Sequence, residues 1–148
     1  MATDAAVMSV PPAPPSPFTR WLPVLAWGVF IFTMSTSSFS ALNTSRIIEP
    51  VLRWLLPLAS NETISLLHAL VRKCAHFTEY AVLFWLLMRG PFAGRPYAAL
   101  SVCVAYALLD EGHQILVPGR TPSLWDVALD STGALFSRFL NLAVAELA

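Results

Sequence analysis

Apolar residues along this chain fall into four long runs separated by short polar breaks. The first begins at Trp21, continues to Met34 and is extended by Ser35-Thr36-Ser37-Ser38-Phe39. The second runs from Ile64 to Met88, the third from Pro96 to Val117, and the fourth from Ser123 to Val144. Each comes close to the roughly 20 residues a helix needs to cross the hydrocarbon core of a bilayer. The pattern predicts spans over about 21–39, 64–88, 96–117 and 124–144.

The breaks carry their own signals. Pro23 is expected in the first turn of the first span, where its missing N–H costs little. Trp21 suits an interfacial anchor. Asn61 is the expected N-cap of the second span, with Glu62 in its first turn. Arg89-Gly90-Pro91 ends that helix, and the short connection to Arg95 makes the second and third spans antiparallel neighbours. Pro118 to Ser123 reads as a turn, with Ser123 capping the fourth span. Between the first two spans, Ile47 to Ala59 carries Pro50, Pro57 and Trp54, with Glu49 and Arg53 on one face. That segment is expected to lie in the membrane surface as a short helix. Residues 1–19 are Pro-rich with one charge, Asp4, and are expected to form a disordered tail rather than a basic secretory signal.

Composition agrees with this pattern. Of 148 residues, 56% are hydrophobic and only 12% charged, where a soluble domain is typically about 25% charged. Mean hydropathy is +0.62. The expected fold is an all-α membrane protein. It is a four-span transmembrane helical bundle, one domain over 20–148, with a short interfacial helix between spans 1 and 2. Formal net charge is zero, so nothing draws the chain to nucleic acid. The two cysteines, Cys74 and Cys103, match neither a disulfide framework nor a zinc motif and read as small packing residues.

Against this apolar background, Arg72-Lys73-Cys74-Ala75-His76-Phe77-Thr78-Glu79-Tyr80 is anomalous. Ionisable groups at membrane depth are costly and point to function. Arg72, His76 and Glu79 lie at i, i+4 and i+7, on one helix face. Four spans alternate in direction, so the start of the second, the end of the third and the start of the fourth meet at one membrane face. Those places hold Arg72, Lys73, His76, Glu79, Asp110, Glu111, His113, Gln114, Asp126 and Asp130, and the turn adds Arg120. His68, two turns before His76, is expected to be solvated.

Three chemistries compete for this constellation. Arg72, Lys73 and Arg120 offer an anion site, since Arg presents a planar fork to phosphate and Lys a point charge. His76 or His113, oriented by Glu79 or Asp110, would then act as acid or base. No nucleophile elbow, Gly-rich phosphate loop or HExxH motif supports a named reaction. In the second reading, His76 and Glu79 with Asp110 and His113 hold a metal in a helical bundle. The adjacent cations oppose that, and no metal or cofactor is expected. In the third, the charges are interhelical ion pairs that lock the spans together. Setting site residues aside, Arg20, Arg89, Arg95 and Arg138 outnumber Arg46, Arg53 and Arg120 at the opposite ends. The positive-inside rule then places both termini in the cytoplasm and the site outside.

These residues resemble the VanZ-like family of small multi-pass bacterial membrane proteins. The likeness runs through Arg72-Lys73-x-x-His76-Phe77-x-Glu79-Tyr80, Asp110-Glu111-x-His113-Gln114, Pro118-Gly119-Arg120 and Asp126-Val127-x-x-Asp130-x-x-Gly133-Ala134. Ser35 to Ser38 loosely resembles a Ser-Ser stretch of the family, and the likeness covers roughly Trp21 to Phe136. Asp130 departs from the pattern, since relatives often carry Asn there, and the extra carboxylate is expected to pair with Arg120 or Lys73. The family's namesake is linked to teicoplanin resistance. The resemblance implies a protein of the bacterial plasma membrane with an envelope role and a glycopeptide context. The resulting expectation is an outer-leaflet site that recognises or processes an anionic lipid or lipid-linked cell-wall intermediate. Catalytic candidates are His76, Glu79, Asp110 and His113. Arg72, Lys73 and Arg120 bind the anion, supported by Tyr80, Glu111, Gln114, Asp126 and Asp130. The partners expected are membrane lipids, with no nucleic acid. The alternative is a non-catalytic structural or partner-binding protein.

Overall fold

The computed structural model describes residues 16–146, and the fold is all-helical. The helices are α1 (Pro17–Met34), α2 (Ala41–Leu55), α3 (Asn61–Arg89), α4 (Pro96–Gln114) and α5 (Leu124–Glu146), with one 3-10 turn at Ser37–Phe39. Residues 1–15 of the expected tail lie outside the described residues. Its last residues belong to α1, which Ser16 caps by accepting from the Thr19 N–H. Pro23 is consequently interior to α1, not in its first turn.

The first helix stops at Met34, short of the expected Phe39. Ser35 closes it through bonds to the Ile31 and Phe32 carbonyls, and the chain then bends by 68° into the next helical segment. The small hydroxyl residues of Ser35–Ser38 compete for backbone hydrogen bonds and favour such ends. The surface helix expected at 47–59 starts earlier, at Ala41, after Ser40, and stops at Leu55 two residues before Pro57. The cap of α3 is Ser60, which accepts from the Thr63 N–H; Asn61 is the first helical residue. Ser123 does cap α5, its Oγ accepting from the Trp125 N–H. Helix α4, the expected third span, ends at Gln114, where the turn before Pro118 takes over.

Among the described residues, no single helix is long and apolar enough to cross a membrane; α1 passes that test only together with the bent segment Ser37–Leu55. Length is not what fails in α3 and α5, whose 29 and 23 residues give about 43 and 34 Å at 1.5 Å per residue. Their apolar runs are broken by the ionisable residues described below.

Helix α3 is central and touches all four others. Its apolar face, Tyr80, Leu83, Phe84 and Leu87, is buried against α1, α4 and α5. Helix α4 meets that core through Ala99, Cys103 and Ala107, each 0% exposed at i, i+4 and i+8. These small residues let the helices approach closely. Cys103 thus has the packing role expected of it, whereas Cys74 is exposed. Gly133 performs the same service between α3 and α5: a β-carbon there would lie 3.0 Å from the Phe77 carbonyl carbon and 3.2 Å from its α-carbon. Two long-range bonds fix α1 on the bundle, from Trp27 Nε1 to the Glu79 carbonyl (2.9 Å) and from the Tyr106 hydroxyl to the Gly28 carbonyl (2.7 Å). Outward, large apolar side chains such as Phe18, Val29, Leu109, Leu116, Trp125 and Phe139 are widely exposed.

Candidate functional site

Antiparallel packing carries the start of α3, the end of α4 and the start of α5 to one end of the bundle. Arg72, His76 and Glu79 follow each other along one face of α3. The last turns of α4 bring Asp110, Glu111 and Gln114, and the first two turns of α5 bring Asp126 and Asp130. Arg120 enters from the intervening turn.

A buried network joins α4 to the end of α1. Ser35 Oγ donates to Asp110 Oδ2 at 2.6 Å. Gln114 Nε2 reaches Ser35 Oγ at 3.1 Å, Asp110 Oδ2 at 3.1 Å and Glu111 Oε1 at 3.2 Å. The Ser123 N–H donates to Glu111 Oε2 at 2.7 Å, fixing the start of α5. Arg120 Nη2 donates to the carbonyls of Met34 and Thr36, the latter at 3.2 Å. The guanidinium therefore supplies the donors that the broken end of α1 lacks. Burial, then Arg72, lowers the Arg120 pKa from its ordinary value, while Asp110 and Glu111 act in the opposite sense. Sequence reasoning noticed the Ser35–Ser38 stretch but did not assign Ser35 to the site. Replacing Ser35 by Ala is expected to leave Asp110 short of its closest donor. The expected cost is about 1–3 kcal/mol, read as a lower unfolding midpoint in detergent.

A second cluster lies between α3 and α5. Lys73 Nζ donates to Asp126 Oδ1. His76 Nδ1 lies 3.7 Å from Glu79 Oε2 and 3.9 Å from Asp130 Oδ1. These separations are ionic proximity, not hydrogen bonds. Both Asp130 oxygens, Glu79 Oε2, His76 Nδ1 and the Tyr80 hydroxyl are buried without a hydrogen-bond partner among the described residues. Asp130, 0% exposed, pairs with neither Arg120 nor Lys73: its nearest counter-group is His76, and Lys73 is taken by Asp126.

Two further expectations need correction. His113 does not join Asp110 in the site; its ring packs on Phe32 of α1, with centroids 4.5 Å apart. Asp110 and His113, at i, i+3, both meet α1, but Asp110 reaches Ser35 at its end while His113 lies against Phe32. His68 is not solvated but 6% exposed; its Nε2 meets Thr44 Oγ1 at 3.1 Å and its Nδ1 lies 3.8 Å from Glu49. It ties α2 to α3, a contact visible only once α2 folds back.

Two cavities open beside these clusters. The first, of about 160 Å³, is lined by Arg72, Lys73, His76, Gln114, Arg120 and Asp126, together with Gly119 and Thr121. Three cations face one carboxylate there, in a space large enough for several waters or one phosphate group. The second, of about 120 Å³, is mostly apolar and shares Arg72, His76 and Arg120 with the first. Lys73 and Arg120 already have protein partners. Arg72 makes no hydrogen bond or ion pair among the described residues, yet borders both cavities. Among those residues, no group of three or more His, Cys, Asp or Glu has a geometry that could hold a metal.

The family model described as VanZ/LLP1 matches residues 20–143. No curated protein and no solved structure matches the chain.

Proposed function

We propose that this chain, which belongs to the VanZ/LLP1 family, is a multi-pass protein of the bacterial plasma membrane that binds the phosphate of an anionic lipid or lipid-linked cell-wall intermediate at its polar end. The exposed apolar surface supports membrane embedding, since soluble monomers rarely expose contiguous apolar patches beyond a few hundred Å². The helices α1, α3, α4 and α5 would span, with α2 at the surface carrying exposed Ile47, Val51 and Trp54. At the end away from the site, Arg89 lies over Trp85 (5.0 Å) and Arg138 over Tyr97 (4.4 Å). Such cation–aromatic pairs suit an interface, and with Arg20 and Arg95 they favour a cytoplasmic side there. The polar site would then face outward.

The observation that carries the binding reading is Arg72, a cation bordering the polar cavity without a hydrogen-bond or ion-pair partner among the described residues. A buried or half-buried guanidinium favours a bidentate oxyanion, and phosphate supplies one. His76, at the same cavity, would carry a proton to or from the bound group; Glu79 and Asp130 would set its charge. The family context extends the proposal to teicoplanin tolerance, through sequestration or alteration of an envelope lipid.

The second reading, that the charges are purely structural, is favoured by Lys73 on Asp126 and by Arg120 on backbone carbonyls. Native mass spectrometry of wild type and Arg72→Gln in mild detergent separates the two. An anionic lipid should accompany the wild type and bind the variant about 10- to 150-fold more weakly, the worth of one charged hydrogen-bonding group. Equal lipid occupancy on both proteins overturns the phosphate site and leaves the structural reading.

A further inference from the structure

The two cavities meet at Arg72, His76 and Arg120. On one side the lining is charged. On the other it is mostly apolar, with Met34, Phe39, Ile48, Val71 and Ala75 from the end of α1, the 3-10 turn, α2 and α3, and Thr44 and Glu79 as its further polar members. The same guanidinium and imidazole border both. We infer that the ligand is a lipid whose phosphate is joined directly to its hydrocarbon chain, as in a polyprenyl phosphate, and not a glycerophospholipid. This rests on the phosphate-binding reading above and narrows it to one substrate class.

A phosphate held by Arg72 must place its ester substituent beside Val71 and Ala75, which flank the same turns of α3. In a polyprenyl phosphate that substituent is already hydrocarbon, and burying it there is favourable. In a phosphatidic acid it is a glycerol with two ester carbonyls, whose acceptors would be desolvated against apolar side chains. The cation border supplies charge complementarity for the headgroup, and Arg120 Nε, buried with no partner among the described residues, remains as a further donor. The groove takes only the first carbons of the chain. The remainder would leave along α2 and α3 toward the exposed apolar surface.

The test uses full-length protein in phosphatidylcholine nanodiscs, titrated with farnesyl phosphate, dihexanoyl phosphatidic acid and inorganic phosphate. Ala75 is exposed, so Ala75→Phe fills the groove without disturbing the core. Farnesyl phosphate should bind wild type about tenfold or more tightly than the phosphatidic acid, and Ala75→Phe should remove that advantage, the effect of about two buried methylenes. Inorganic phosphate should bind both proteins alike, and a matching melting curve excludes misfolding. Val71→Trp, in the same groove, should repeat the loss. Equal affinity for the two lipids, or farnesyl phosphate binding untouched by both variants, overturns the inference while leaving the phosphate site standing. Failure of all three probes on wild type, with no effect of Arg72→Gln, removes the phosphate site and this inference together.

Discussion

Arg120→Gln is expected to destabilise the protein by about 1.5–3 kcal/mol, the worth of a hydrogen bond made by a charged group. Two effects combine. The Met34 carbonyl loses its side-chain donor, and the Thr36 carbonyl keeps only the Phe39 N–H, at the 68° bend. Asp110 and Glu111, 4% and 6% exposed, also lose a nearby positive charge. For a chain of this length the midpoint of thermal unfolding should fall by roughly 3–12 °C. Arg120→Lys should recover only part of the loss, because a point charge cannot span two carbonyls as a planar fork does. A midpoint within about 2 °C of wild type would mean that α1 is held by Trp27, Tyr106 and Ser35 alone.

Gly133→Ala should cost a similar amount for a different reason. Its β-carbon would be driven into the backbone of Phe77, and backbone cannot rotate away as a side chain can. Helices α3 and α5 must separate, loosening the layer that contains Asp130 and Ala134, both 0% exposed. Overpacking typically costs about 1–3 kcal/mol, and a backbone collision belongs at the upper end. Gly112→Ala is the matched control. It lies within α4 with nothing inside 4 Å of the added carbon, so the change should stabilise by about 0.5–1 kcal/mol through helix propensity. Unfolding of the two variants in the same detergent should therefore shift in opposite directions. A neutral Gly133→Ala would disprove the tight α3–α5 contact.

The polar residues differ in how readable they were. Arg72, His76 and Glu79 could be placed on one face because they share a helix, and 3.6-residue periodicity fixes their relation. Their meeting with Asp110 and Asp126 followed from alternating helix directions. For His113, the i, i+3 spacing to Asp110 shows a shared face but not the partner on it: Asp110 meets Ser35 and His113 meets Phe32. His68 was misassigned because the turn that brings Thr44 and Glu49 onto it depends on where α1 breaks. Ser35 looked like the end of a span, and only the folded chain shows it donating to Asp110.

The sequence by itself determined the helical class, the order of the elements, their approximate lengths and the end of the bundle where charge collects. Those properties follow from local propensity, capping and apolar periodicity, which need no knowledge of neighbours. Tertiary structure alone decided which cations are spent. It gave Lys73 to Asp126 and Arg120 to the end of α1, and it left Arg72 between a polar and an apolar cavity. Those pairings depend on the rotation of each helix about its axis and on the closeness of approach that Ala99, Cys103, Ala107 and Gly133 allow. Rotation and approach are set by packing across helices, and a linear sequence encodes them only through the completed core.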